Sequence, residues 1–215
     1  MKLFVWDFHG TLEKGNEIAA WEISNLALAF LGYHQRFTKS DCLLLYGKKW
    51  YEYFETLLPD EPQERHLQLQ EVAFRISLEK PRIIASHIRP NDHAHAVLTA
   101  IAAAHQQIII SHTIPLSLNL FIEAVDMKHY FPEGFVFAAN AHGREVKRTK
   151  QQVLQEFLLD KKYDDIVIIG DSPQDLNLAL VNGGVTYLYA HPGKPFRDCP
   201  ADYKIRDLRE VLRGM

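Results

Sequence analysis

The sequence predicts an α/β protein: a Rossmann-like parallel sheet core with an all-helical cap domain inserted near its start. Three observations predict it. Short apolar runs alternate with helix-period segments over the second half of the chain, the rhythm of βαβ crossovers. One strand-like run opens the chain, and residues 16–85 then hold nothing that reads as a core strand. The 215 residues suit one large domain carrying a smaller insert. Residues 1–15 and 86–215 are therefore expected to form the sheet-bearing core, and residues 16–85 the helical insert.

Each element has its own signal. Residues 2–6 (KLFVW) form a buried strand ending at Asp7, and residues 8–15, with two glycines, a turn region. From Glu17 to Leu31 the positions Ile18, Trp21, Ile23, Leu26, Leu28 and Leu31 suggest a mostly buried helix, stopped by Gly32. Thr38 and Asp41 have the spacing of a capping box. A third helix spans residues 50–58 before Pro59, and a fourth spans 63–79, closed by Pro81. Asn91 can cap a helix whose Ala94, Val97, Leu98 and Ile101 face inward.

Strands are then expected at 107–111, 134–138, 165–170, 185–189 and 203–205. Between them lie helices at 115–125, 149–159 and 173–182, and a last one at 207–212. In the helix at 149–159, Val153, Leu154, Phe157 and Leu158 form the inner stripe.

Composition excludes several classes. With 24 Lys and Arg against 27 Asp and Glu, the net charge of −3 lacks the concentrated basicity that phosphate-backbone binding needs, so no nucleic-acid partner is expected. No apolar run reaches the roughly 18 residues a membrane helix needs, and the opening run is too short for a secretory signal. Two cysteines, Cys42 and Cys199, far apart and without metal-ligand spacing, point to a reducing, cytoplasmic setting with no membrane partner. The eleven histidines offer no His-x-x-x-His pair with a recognisable third ligand, although His9, His112, His142 and His191 fall in strand-end loops.

Three strand ends carry chemistry. Asp7 follows the first strand, with Gly10 and Thr11 just behind it. Ser111 closes the strand of Ile108, Ile109 and Ile110, and Asp171 follows Ile168, Ile169 and Gly170, with Asp175 four residues on. Ligands of open parallel sheets bind beyond the carboxyl ends of the strands. A separated pair of carboxylates, Asp7 and Asp171, suits a hard divalent cation such as magnesium. Individually, Ser111 could equally satisfy a backbone group, and Asp175 could favour a helix dipole.

In this pattern the chain resembles the haloacid dehalogenase-like superfamily, whose members are mostly phosphatases. The stretch Val5-Trp6-Asp7-Phe8-His9-Gly10-Thr11 is similar to its first motif, Ser111 to the second, and Asp171 with Asp175 to the fourth. Lys150 is the better match to the motif-three lysine, with Lys147 as the other candidate. The resemblance implies an Asp7 nucleophile and a magnesium ion held by Asp7, the His9 carbonyl, Asp171 and Asp175. It also implies that Ser111 and Lys150 bind the transferring phosphoryl group of a small phosphorylated metabolite. Thr11 and His112 join the substrate-binding set at the strand ends. Lys48 and Lys49, in the loop from Tyr46 to Trp50 of the insert, are the candidates for substrate selection.

One position departs from the family pattern. His9 stands where the phosphatases carry the Asp that protonates the leaving oxygen and later activates water. Imidazole can shuttle protons near neutral pH, so His9 is a candidate replacement. Two alternatives remain open at this level: a phosphonate C–P hydrolase that forms a Schiff base at Lys48 or Lys49, and a ligand-binding member without catalysis.

Overall fold

A computed structural model describes residues 1–45, 47–139 and 148–215, and the chain separates into two units: Met1–Lys14 with Pro90–Met215, and Gly15–Arg89. The first begins with β1 (Leu3–Trp6) and β2 (Glu13–Lys14). The second holds α1 (Asn16–Phe30), α2 (Lys39–Leu45), α3 (Trp50–Leu57), α4 (Gln63–Glu79) and α5 (Pro81–His87). After β3 (Arg89–Pro90) come α6 (Ala94–Ala102), β4 (Gln106–Ser111), α7 (Pro115–Ala124), β5 (Val136–Ala138) and α8 (Lys150–Leu158). The chain finishes through β6 (Ile166–Gly170), α9 (Pro173–Leu176), α10 (Ala179–Asn182), β7 (Val185–Tyr189) and β8 (Tyr203–Ile205).

Six strands form one sheet in the order β5-β4-β1-β6-β7-β8, every described pair parallel, as expected of a Rossmann-like core. β1 sits centrally because all four of its side chains are buried, and a strand apolar on both faces must be covered on both. On one face Leu3, Val5, Ile108, Ile110, Ile166 and Ile168 pack with Val153, Leu154 and Phe157 of α8. The inner stripe expected of that helix is thus in place, except that Leu158 is only partly buried.

Among the described residues the helical unit carries no sheet strand between α1 and α5. Its α1 buries a narrower face than expected, namely Ala19, Ile23, Ser24, Ala27 and Leu28, leaving Ile18, Trp21 and Leu26 half-buried. The Thr38–Asp41 capping box forms: the Thr38 N–H donates to Asp41 Oδ2 at 2.7 Å and the Asp41 N–H to Thr38 Oγ1 at 3.2 Å. Pro81 does close α4, but it also opens α5, because a proline at the first helical position gives up an N–H that would have no partner there anyway.

Three other expectations need correction. Asn91 does not cap α6; His93, at φ 65, precedes it, and Asn91 is engaged elsewhere. The segment 173–182 is two short helices, because its amides bond three residues back (Leu178 to Asp175, Leu180 to Asn177) and tighten the turn. The terminal helix is a 3₁₀ segment, Leu208–Gly214, whose buried Leu208 and Val211 are three apart, matching its period. Both cysteines are free and buried, and among the described residues no helix is long and apolar enough to cross a membrane.

Candidate active site

The site begins with register. Trp6 pairs with Ile109 on β4 and with Ile169 on β6, so Asp7 emerges level with Ile110 and Gly170. Ser111 and Asp171 each lie one residue further along their strands. Neighbouring strands run about 4.8 Å apart, so three adjacent strand ends deliver three polar side chains to one place. This is where the strand order reverses, since the chain runs outward from β1 through β4 to β5 and then returns to β6 on the other side of β1, the ligand-binding position of such folds.

The backbone behind Asp7 turns tightly. The Phe8 carbonyl accepts N–H bonds from Thr11 (3.3 Å), Leu12 (3.0 Å) and Glu13 (3.3 Å), and the turn requires Gly10 at φ 80, a conformation disfavoured for residues with a Cβ. That folding-back lets Thr11 Oγ1 donate to Asp7 Oδ2 at 3.3 Å. Asn91 secures the turn from outside: its N–H donates to the Leu12 carbonyl (2.9 Å) and its Nδ2 to the Thr11 carbonyl (2.8 Å).

Lys150 is delivered by a capping box. The Thr149 N–H donates to Gln152 Oε1 at 2.8 Å and the Gln152 N–H to Thr149 Oγ1 at 3.1 Å, which starts α8 with Lys150 in its first turn. The ammonium is 2 % exposed and donates to Asp7 Oδ1 at 2.8 Å and to Asp175 Oδ1 at 2.5 Å. Burying a charge costs several kcal/mol unless it is paired, and here two carboxylates pair it. Asp175 is held in turn by Ser172, whose N–H and Oγ both donate to Oδ2, at 3.0 and 2.5 Å.

Asp7, Asp171 and Asp175 offer carboxylate oxygens that all lie within 4.8 Å of one another. Burial first, and then repulsion by Asp7 and Asp175, push Asp171 up to about 8 despite the opposing pull of Arg197, whose Nη2 lies 3.5 Å from Oδ2. Asp7 is raised to about 6 by burial and by Asp175, with Lys150 pulling the other way. Burial alone would lower Lys150, but the two carboxylates outweigh it and hold the amine protonated above its usual range.

These residues fit a hard divalent cation: all donors are oxygens, and three carboxylates against the Lys150 ammonium and the Arg197 guanidinium still leave negative charge in excess. Crowded, half-compensated carboxylates are what such an ion relieves. Ser111 adds a second unmet demand. It is 1 % exposed, and its Oγ has no hydrogen-bond partner among the described residues. A buried hydroxyl without a partner is costly, and an incoming anionic oxygen would satisfy it.

Asp7, Thr11, Lys150, Asp171 and Asp175 are therefore joined by contacts or mutual proximity, with Ser111 on the adjoining strand end. His9 lies in the turn and acts electrostatically on Asp7; its Nδ1 is 2.9 Å from Glu13 Oε1. His112 is half-buried directly after Ser111. Lys48 and Lys49 belong to the helical unit, Lys48 exposed and Lys49 half-buried with its Nζ 5.8 Å from the centre of the Tyr51 ring. Tyr46, His142 and Lys147 lie outside the described residues. Sequence reasoning missed Glu13 and Arg197 and read Asn91 only as a helix cap; the His-x-x-x-Glu spacing of His9 and Glu13 was the one signal available.

A family model described as haloacid dehalogenase-like hydrolase matches residues 1–181, most of the chain. The chain belongs to that family. No curated protein matches it in sequence. Among solved structures it is similar to a predicted phosphoglycolate phosphatase from Haemophilus somnus (TM-score 0.77, 15% identity, covering 100% of this chain and 97% of that one). It is also similar to a predicted phosphatase from Clostridium acetobutylicum (TM-score 0.73, 17% identity, 99% and 97% covered). A third, a family hydrolase from Deinococcus radiodurans with bound phosphate and sodium, matches with TM-score 0.66 and 18% identity over 99% and 93%.

Proposed function

We propose that this haloacid dehalogenase-like hydrolase is a magnesium-dependent phosphatase that cleaves a small phosphorylated metabolite through an aspartyl-phosphate at Asp7. The observation that carries the reading is the position of Asp7: at a strand end, bonded to Lys150 and Thr11, with Asp171 and Asp175 within reach of a shared cation. The phosphate and cation bound by the Deinococcus radiodurans structure and the phosphatase names of the other two support it.

Asp7, Asp171, Asp175 and the His9 carbonyl would hold magnesium, which supplies charge neutralisation where an anionic nucleophile meets an anionic substrate. Asp7, raised only to about 6, is ionised at neutral pH and attacks phosphorus; the P–O ester bond breaks as the acyl phosphate forms. His9 gives the departing oxygen its proton. It then takes a proton from the water that attacks phosphorus, which breaks the bond to Asp7, restores its carboxylate and frees inorganic phosphate. Lys150 and Ser111 bind the equatorial oxygens, since positioning and electrostatics supply most of the catalysis in phosphoryl transfer. Thr11 keeps the Asp7 carboxylate oriented, His112 adds a contact beside Ser111, and Lys48 and Lys49 recognise the rest of an anionic substrate.

Turnover of a panel of phosphorylated metabolites with magnesium tests this. Asp7→Asn is expected to abolish phosphate release, and acid-quenched wild type to retain phosphate on Asp7. His9→Ala is expected to slow turnover more than about tenfold, the lower range for a lost general acid. If wild type and Asp7→Asn are equally inert across the panel, the protein binds its ligand without hydrolysing it.

A further inference from the structure

We infer that Glu13 is the positioning residue for His9: its buried carboxylate holds the imidazole as the Nδ1–H tautomer and leaves Nε2 as the nitrogen that exchanges the proton. This rests on the reading of His9 as the group that serves the leaving oxygen and the water. Three observations carry it.

The first is the turn itself. Bonding of the Thr11, Leu12 and Glu13 amides to the Phe8 carbonyl, with Gly10 at φ 80, folds residue 13 back onto residue 9, and a bridge forms between them. The Glu13 side chain is fully buried, a costly place for a carboxylate, and it spends one oxygen on this contact.

The second is the convergence on that oxygen. Glu13 Oε1 accepts the Gly10 N–H at 3.3 Å and lies 2.9 Å from His9 Nδ1. An oxygen already receiving a backbone N–H acts as an acceptor, so the proton between it and the ring belongs to Nδ1. In neutral imidazole one nitrogen carries the proton, and the hydrogen bond made there decides which. Nε2 is left unengaged among the described residues.

The third is the ring's enclosure. Phe121 meets His9 edge-on with centroids 4.6 Å apart, and Phe8 does so at 5.2 Å, so two aromatic walls fix the ring plane that Glu13 has oriented. A carboxylate that orients an imidazole contributes through tautomer and direction, without touching substrate. The His9–Glu13 pair thus accounts for a histidine standing at position 9: a single short acid is replaced by a ring with its own orienting partner.

Protein with isotopically labelled histidine nitrogens tests this by NMR, with His9→Gln identifying the signal. In wild type the neutral His9 ring is expected to carry its proton on Nδ1. Glu13→Leu is expected to shift it toward Nε2, and to lower kcat about tenfold or more with KM little changed. Glu13→Gln keeps an acceptor oxygen and is expected to restore both the tautomer and most of kcat. In a His9→Ala background, Glu13→Leu should cost no further turnover. A wild-type ring protonated on Nε2, or a tautomer indifferent to Glu13→Leu, overturns the inference, as does full additivity of the two substitutions. If Glu13→Leu does not fold, the wild-type spectrum and Glu13→Gln decide alone. An enzyme with the expected tautomer but no phosphatase activity would instead overturn the function proposed above.

Discussion

A Cβ placed on Gly170 would lie 2.2 Å from the Cβ of Asp175, so the last residue of β6 is a glycine because the carboxylate that faces Lys150 packs directly on its backbone. Gly170→Ala must push Asp175 away or bend the strand. We expect it to destabilise the protein by about 1–3 kcal/mol, the range for overpacking a tight core, and to weaken activity more than its stability loss explains. Urea denaturation beside steady-state kinetics checks this; a neutral alanine would mean that Asp175 is not confined there.

Lys150 pairs with two buried carboxylates at once. Lys150→Met leaves Asp7 and Asp175 facing each other without it, and we expect a loss of about 3–5 kcal/mol, typical of removing one partner from a buried ion pair. Adding Asp175→Asn should recover much of that stability while activity stays absent. Denaturation midpoints of the two variants against wild type provide the measurement, and a double variant no more stable than the single one would contradict it.

The pH dependence of cation binding has a defined sign. Asp7 and Asp171 are raised, to about 6 and about 8, above their ordinary value of 3.8. Between pH 4 and 8, approximately, the cation-free folded protein therefore holds more protons than the unfolded chain, and this cluster's contribution to stability falls as pH rises. A cation that keeps both groups ionised must displace those protons. The rise in melting temperature on adding magnesium is thus expected to be larger near pH 8 than near pH 5.5, readable by thermal denaturation at the two values. An equal rise at both would separate the ion from these carboxylates.

Cys42 is fully buried, and burial, with Asp41 adding a little, pushes its thiol up to about 12. At about pH 8 its thiolate fraction is then near one in ten thousand, and only the thiolate reacts. Cys199 is raised in the same direction by burial. Neither should react with a thiol reagent at an appreciable rate until the protein is unfolded; prompt modification of the native protein would show an opening that exposes one of them.

Much of this was legible in the chain. The apolar run ending at Asp7, the runs ending at Ser111 and Gly170, and the capping pair Thr38 and Asp41 are local signals, and local signals survive into the fold because hydrophobic periodicity and capping act within a few residues. Boundaries failed where local chemistry allowed two outcomes. Proline both ends and begins helices, which hid α5 behind Pro81, and a run of closely spaced amide bonds split the segment at 173–182.

Sequence by itself determined the class of fold, the helical insert and the polar residues at three strand ends, since each follows from period, composition and punctuation along the chain. Only the tertiary structure decided which groups share a charge balance: Lys150 comes 143 residues after Asp7 yet bonds to it, Asn91 ties down a turn 80 residues before it, and Arg197 reaches Asp171. Strand order and register set those meetings, and they depend on burying both faces of β1 between β4 and β6, a long-range packing requirement that no short stretch of the chain expresses.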